Sequence, residues 1–232
     1  MPHSSDVGHH KGIVMPELKD FLAAVVTLLA TFVGAWAAFA FERGRRRDEQ
    51  EVRNVGAANR ALYTLFNIWN VLEQFRKTVI EPYRGKHDAW LNMAATFPSK
   101  TGLATFEAGE LAYLLQTPHA TVYATLMLEE QRFAFAVSLI EMRSSLVLNE
   151  VFRALGQAQV TVGTPLPEAD VERIIGIDTT RKLRVVTDSL IKNIDEDLLS
   201  IVAAYDELQK SMKIIYPERK LIRVQFELEA AK

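Results

Sequence analysis

The sequence predicts an all-α protein: one N-terminal transmembrane helix followed by an antiparallel long-helix bundle with coiled-coil-like packing. Three observations predict it. Residues 21–41 carry no charge and are closed by Glu42, Arg43, Arg45, Arg46 and Arg47. Apolar residues then recur in steps of three and four along three long segments, the spacing of a helix face. Strand-like alternation is missing from the reading, and the β-branched residues of 179–186 continue a helical seam.

The first element is a membrane span over 18–43, preceded by a disordered tail over 1–17. At about 1.5 Å of rise per residue, some twenty apolar residues cover a hydrocarbon core of about 30 Å. Ala38-Phe39-Ala40 resembles a cleavage site, but signal peptides have apolar regions of only about 7 to 15 residues. A buried core helix would show a polar stripe, and the polar residues here are Thr27 and Thr31. Lys11 and Lys19 precede the span, while Arg43, Arg45, Arg46, Arg47 and Arg53 follow it. Cytoplasmic flanks carry the positive excess, so the N-terminus is expected outside and the C-terminal domain in the cytoplasm. Arg43, Arg45, Arg46 and Arg47 are read as membrane-interface residues facing anionic headgroups. Ala30, Gly34 and Ala38 recur every four residues, a small-residue face on which two spans can associate. His9 and His10 can bind a metal in principle, but neighbouring histidines in a polar tail are more simply incidental.

Residues 44–232 are read as one cytoplasmic helical domain. Its first long helix, about 45–80, has its seam at Val52, Val55, Leu62, Phe66, Trp69, Leu72, Phe75 and Val79, with Asn59 filling the missing place. Pro82 stops it. Short helices are expected within 87–116, in a stretch from Pro82 to Pro118 that Gly85, Pro98 and Gly102 break. A second long helix, about 119–157, is apolar on more than one side and reads as central; its stretch 133–140 is too short for another span. After the loop at 161–167 comes a third, about 168–215. Its seam runs through Leu183, Thr187, Leu190, Ile194, Leu198, Ile201, Tyr205, Leu208, Met212 and Ile215, with one irregular step, a stutter in a coiled-coil pattern. Pro217 ends it, and a short amphipathic helix is expected within 218–231.

The chain has a formal net charge of -2 and no cysteine. Disulfides and thiol catalysis are thereby excluded, and the charge balance does not fit a nucleic-acid-binding domain. Phosphate-binding, HExxH and G-x-S-x-G motifs are missing, and the residues three before His87 and His119 are Arg84 and Gln116, which removes the Glu-x-x-His of di-iron bundles. No catalytic, cofactor-binding or metal-ligating residue is assigned. Glu129 and Glu130 are the most chemically suggestive pair, since paired carboxylates can do acid-base work; the simpler reading is an ion pair with an arginine of another helix, Arg143 or Arg60. Asn59 and Asn67 are read as register-setting polar groups, and Trp90 as a cap or a partner contact.

Phe32-Val33-Gly34-Ala35-Trp36, Leu114-Leu115-Gln116-Thr117-Pro118, Glu129-Glu130-Gln131-Arg132-Phe133 and Glu141-Met142-Arg143-Ser144 resemble stretches of uncharacterised short single-span bacterial inner-membrane proteins with a cytoplasmic helical domain. The resemblance covers about residues 20–150. It implies a location in the bacterial inner membrane and an architecture, and supplies no site residue. The function expected is a non-enzymatic one: a scaffold, sensor or partner-recruiting module whose partners are the lipid bilayer, an unknown protein and a second copy of itself. The alternative is a subunit of an oligomeric channel or transport complex.

Overall fold

The computed structural model describes residues 18–97, 105–160 and 166–226, with side chains from residue 21 onward. The expected tail 1–17, with His9, His10 and Lys11, lies outside them, as do the last residues of the expected C-terminal helix. Every regular element among the described residues is helical. The chain divides into two compact units, Met1–Gln50 and Glu51–Lys232.

Helix α1 (Leu18–Phe75) supplies the first unit. Its apolar side chains from Phe21 to Phe41 are exposed, with Leu28 73% and Phe32 70% accessible. Thr27 and Thr31 donate their hydroxyls to the carbonyls of Ala23 and Thr27, each at 2.8 Å, which satisfies them inside the helix. Among the described residues this is the one helix long and apolar enough to cross a membrane.

The second unit buries the later part of α1, with Leu62, Leu65, Ile68 and Leu72 fully inaccessible. Helical geometry continues past Phe75 as a wide π turn, Arg76–Ile80, and ends in a 3-10 turn, Glu81–Tyr83. Pro82 lies inside that 3-10 turn, as its missing N–H requires. The short helices are briefer than the sequence suggests. Helix α2 is Ala89–Asn92, and α3 is Ala108–Leu111 continued by a 3-10 turn, Ala112–Gln116.

Helix α4 (Ala120–Leu146) is followed by a π turn, Val147–Val151, and by α5 (Phe152–Gln157). The helix has neighbours in α7, in residues 90–96 and at Phe106, as its apolar breadth suggests, but it is not enclosed: Leu128, Phe135 and Met142 are 45%, 55% and 52% exposed. The expected helix 168–215 is split at Gly176 into α6 (Glu168–Ile175) and α7 (Ile177–Ile215). Gly176 adopts φ 85°, a conformation that glycine reaches without a Cβ clash and that breaks the helical path. The α7 seam from Leu183 to Met212 is buried throughout, including Leu198 at 3% and Ile201 at 1%.

No helix forms over the described residues 218–226. After a turn over 217–219 the chain carries no regular helix from 220 to 226, with Ile222, Val224 and Phe226 half-buried and Arg223 and Gln225 exposed. That period of two is the signature of an extended segment. One core joins α1, α4, α7 and this strap; a smaller one gathers Trp90, Val147, Val151, Val171, Ile175 and Leu183.

Candidate functional site

The strap is held chiefly by side chains of α1 and α7 that bind its backbone. Asn59 on α1 accepts the Ile222 N–H at 3.0 Å. From α7, the Gln209 amide donates to the Ile222 carbonyl at 3.1 Å, and the Tyr205 hydroxyl donates to the same carbonyl at 3.2 Å while accepting the Val224 N–H at 3.0 Å. An extended segment cannot satisfy its own backbone groups, so these side chains replace the missing ladder. The ring of Phe226 sits in an aromatic socket, 4.9 Å from Tyr205, 5.3 Å from Trp69 and 6.2 Å from Phe66. The first two contacts are edge-on, the favoured geometry for such pairs. Trp69 Nε1 is buried without a hydrogen-bond partner among the described residues.

The start of the strap is fixed as well. Asn54 donates to the Tyr216 hydroxyl at 2.7 Å, and the Tyr113 hydroxyl donates to the Asn54 carbonyl at 3.1 Å. Burial pushes the Tyr113 phenol well above its ordinary range, so it stays a neutral donor. Beside Ile222 opens a groove of about 510 Å³, lined by Asn59, Tyr63 and Asn67 of α1 and by residues 105–107, 110 and 111. Arg60 crosses its rim to pair with Glu110 and, at 3.8 Å, with Glu107. Tyr63 is 57% exposed there.

The two neighbouring glutamates go to different places. Glu129 is 2% exposed and takes Arg132 of its own helix at 2.9 Å and the Ser200 hydroxyl of α7 at 2.9 Å. Glu130 accepts the Phe106 N–H at 3.0 Å. Pairing with Arg143 or Arg60 is therefore corrected: a one-turn reach to Arg132 needs no tertiary approach. The acidic couple that forms is Glu129 with Asp197, which sequence reasoning missed. Burial first, and then the Glu129 charge, raise Asp197 to about 6. Neither groove found along α1 is lined by these carboxylates.

Arg143 is 1% exposed. Its guanidinium donates to the carbonyls of Trp90 (3.1 Å), Met93 (2.8 Å) and Ala94 (3.2 Å) and to the Thr187 hydroxyl (3.0 Å). Next to it, Ser144 donates to the Thr96 carbonyl at 2.6 Å and accepts the Thr96 N–H at 2.9 Å. This network holds residues 90–96 against α4 and explains why α2 stops after one turn. Burial lowers Arg143 to about 10, so it remains a cation at neutral pH. Trp90 is buried, with its indole donating to Glu168 at 3.0 Å and Arg184 stacked 5.0 Å from its ring; it is part of the core.

Of the other expected residues, Arg45 and Arg46 pair with Glu42 at 3.1 and 2.9 Å on an exposed surface. Arg43 and Arg47 are exposed there too. Ala30, Gly34 and Ala38 are exposed, and a Cβ added at Gly34 meets nothing within 4 Å. His119 is half-buried at the start of α4, and His87 lies 3.2 Å from Glu168. No cluster of three or more potential metal-ligating His, Cys, Asp or Glu residues occurs among the described residues.

Comparison with family models, curated proteins and solved structures finds no match to this chain. The class defined by the fold is an all-helical protein with one long apolar N-terminal helix.

Proposed function

We propose that this chain is a non-enzymatic single-pass membrane protein whose cytoplasmic helices recruit a protein partner. Residues 18–43 cross the bilayer with the N-terminus outside, and Arg43, Arg45, Arg46 and Arg47 meet anionic headgroups. Placement in the bacterial plasma membrane rests on the resemblance of the four sequence stretches above. The rest of the chain is read as an antiparallel bundle with coiled-coil-like packing: as α4 advances from Glu129 to Arg143, its α7 partners retreat from Ser200 to Thr187.

The observation that carries recruitment is the strap seat. Asn59, Tyr205 and Gln209 bind backbone atoms, and Phe226 enters an aromatic socket, which is how extended segments are recognised by side-chain pockets and main-chain bonds. An open groove continues beside it. The test is a photo-crosslinking residue at Tyr63 in intact membranes. A heterologous adduct that is lost on adding a peptide of residues 216–226 supports recruitment; absence of any adduct above the level of an exposed control position overturns it. An external-only reporter fused after Lys232 should be silent, and activity there would reverse the topology.

The channel-subunit reading keeps one observation of its own, the open face of Ala30, Gly34 and Ala38. Gly34→Ile should abolish span pairing in a membrane two-hybrid assay, and an unchanged signal removes that face as an interface.

A further inference from the structure

The strap over 220–226 is held far less firmly than the helices it lies on. Its seat belongs to α1 and α7, whose Ala58, Leu62, Leu65 and Leu208 are fully inaccessible. In the strap, by contrast, Leu221, Ile222, Val224 and Phe226 are only half-buried. The last backbone-to-backbone bond in this part of the described chain runs from the Arg219 N–H to the Tyr216 carbonyl, at 3.2 Å in the turn. Beyond it the strap depends on side-chain bonds at Ile222 and Val224 and on the ring of Phe226. Segments with few buried contacts and little backbone bonding of their own are those that open locally. The root is firmer, because Tyr216 takes the Asn54 amide and Arg219 reaches Glu51 at 3.4 Å. The strap is therefore anchored at 216–219 and weakest beyond that point.

We propose that the strap is an intramolecular stand-in for the segment that a protein partner supplies: seated, it closes the site, and released, it admits the partner. This rests on the recruitment reading above and adds its regulation. Release bares the rings of Phe66, Trp69 and Tyr205 together, and an exposed aromatic patch of that kind calls for another cover. What fits is set by what the strap presents. It offers the N–H and C=O of one residue, the N–H of the residue two further on, and an aromatic ring four further on. A helix fits less well, since its main-chain donors and acceptors are already bonded within it. A tethered segment competes at an effective concentration on the order of millimolar, so a foreign one must make a bond that the strap lacks. Trp69 offers that bond: its indole N–H is buried beside Phe226 with no acceptor among the described residues. An unmet buried donor weighs against the seated strap, and a partner segment that carries an acceptor next to its aromatic residue removes that penalty.

The probe is a fluorescent peptide of residues 216–226 added to the full chain in detergent. Phe226→Ser takes the ring out of the socket, and Val224→Pro removes the N–H that Tyr205 accepts. Both changes lie in the half-buried strap, so amide exchange across α4 should match that of the parent. Each variant should bind the peptide at least about tenfold more tightly than the parent, because a closed strap lowers the apparent affinity by the fraction of chains that are open. Equal affinity in the parent and both variants overturns the closure, and so does absence of binding to all three. The Tyr63 crosslink in membranes separates this regulation from recruitment itself. A heterologous adduct that rises in both variants supports the regulation. An adduct of equal yield in parent and variants keeps recruitment and overturns the regulation, whereas tighter peptide binding with no adduct in any of them keeps the closure and overturns recruitment.

Discussion

Arg143 and Asp197 are both buried charges at the contact of α4 with α7, and they are handled in opposite ways. Arg143 has four acceptors and, among the described residues, no carboxylate partner; its cation is dissolved in carbonyl dipoles at the end of α2. Asp197 shares its surroundings with the negative Glu129, and the nearby Arg132 is already bonded to Glu129. The first centre stays charged at neutral pH, whereas burial and the Glu129 charge bring the second close to taking up a proton there. A buried charge thus serves the fold where hydrogen bonds replace its hydration, and becomes titratable where a like charge is buried beside it.

The largest expected effect comes from breaking the satisfied centre. Arg143→Met should destabilise the full chain by roughly 3 to 5 kcal/mol in a denaturant titration, because several buried carbonyls lose their donor together. A loss below about 1 kcal/mol would mean that water reaches residues 90–96. An apolar control sits on α7, the helix packed against α4. Leu198→Ala should cost roughly 2 to 5 kcal/mol, and an unchanged melting temperature would show that the α7 seam does not pack as observed.

The like-charged centre predicts a change of opposite sign. Asp197 is raised in the folded state from 3.8 to about 6, so the folded state binds the proton more tightly than the unfolded one. Its contribution is most favourable below about pH 4, declines as pH rises through about 6, and is lost above that. Asp197→Asn should therefore stabilise the protein at pH 7.5 by on the order of 1 to 3 kcal/mol and leave it nearly unchanged at pH 4. Equal effects at both values would remove the titration account. The smallest expected change is at the strap: Tyr205→Phe deletes one donor and one acceptor and should cost about 1 to 2 kcal/mol, read as faster amide exchange at Val224 with α4 unaffected.

Much of the helical pattern was legible because helix faces follow local spacing. The α7 seam from Leu183 to Met212 is buried as its three-four steps require, and Pro217 marks a stop that follows from its own covalent structure; the split at Gly176 was passed over, because one glycine inside a helical pattern is not by itself a break. The strap was less visible, although its alternation at Ile222, Val224 and Phe226 was present in the letters; a period of two over five residues is weak beside an amphipathic reading of the same stretch. The sites were hardest. Glu129 and Glu130 are adjacent in sequence yet diverge to Ser200 and Phe106, and nothing near Asp197 in the chain announces Glu129.

By itself the sequence determined the all-helical character, the apolar run of residues 21–41 and the face that α7 buries, since each depends on residues within a few turns of one another. Tertiary structure alone decided which charges meet, which carbonyls Arg143 serves and which side of α4 is left open. Those depend on contacts 44 to 71 residues apart, such as Arg143 with Thr187 and Glu129 with Ser200, and the energy of a buried polar group is set by the particular atoms that replace its water.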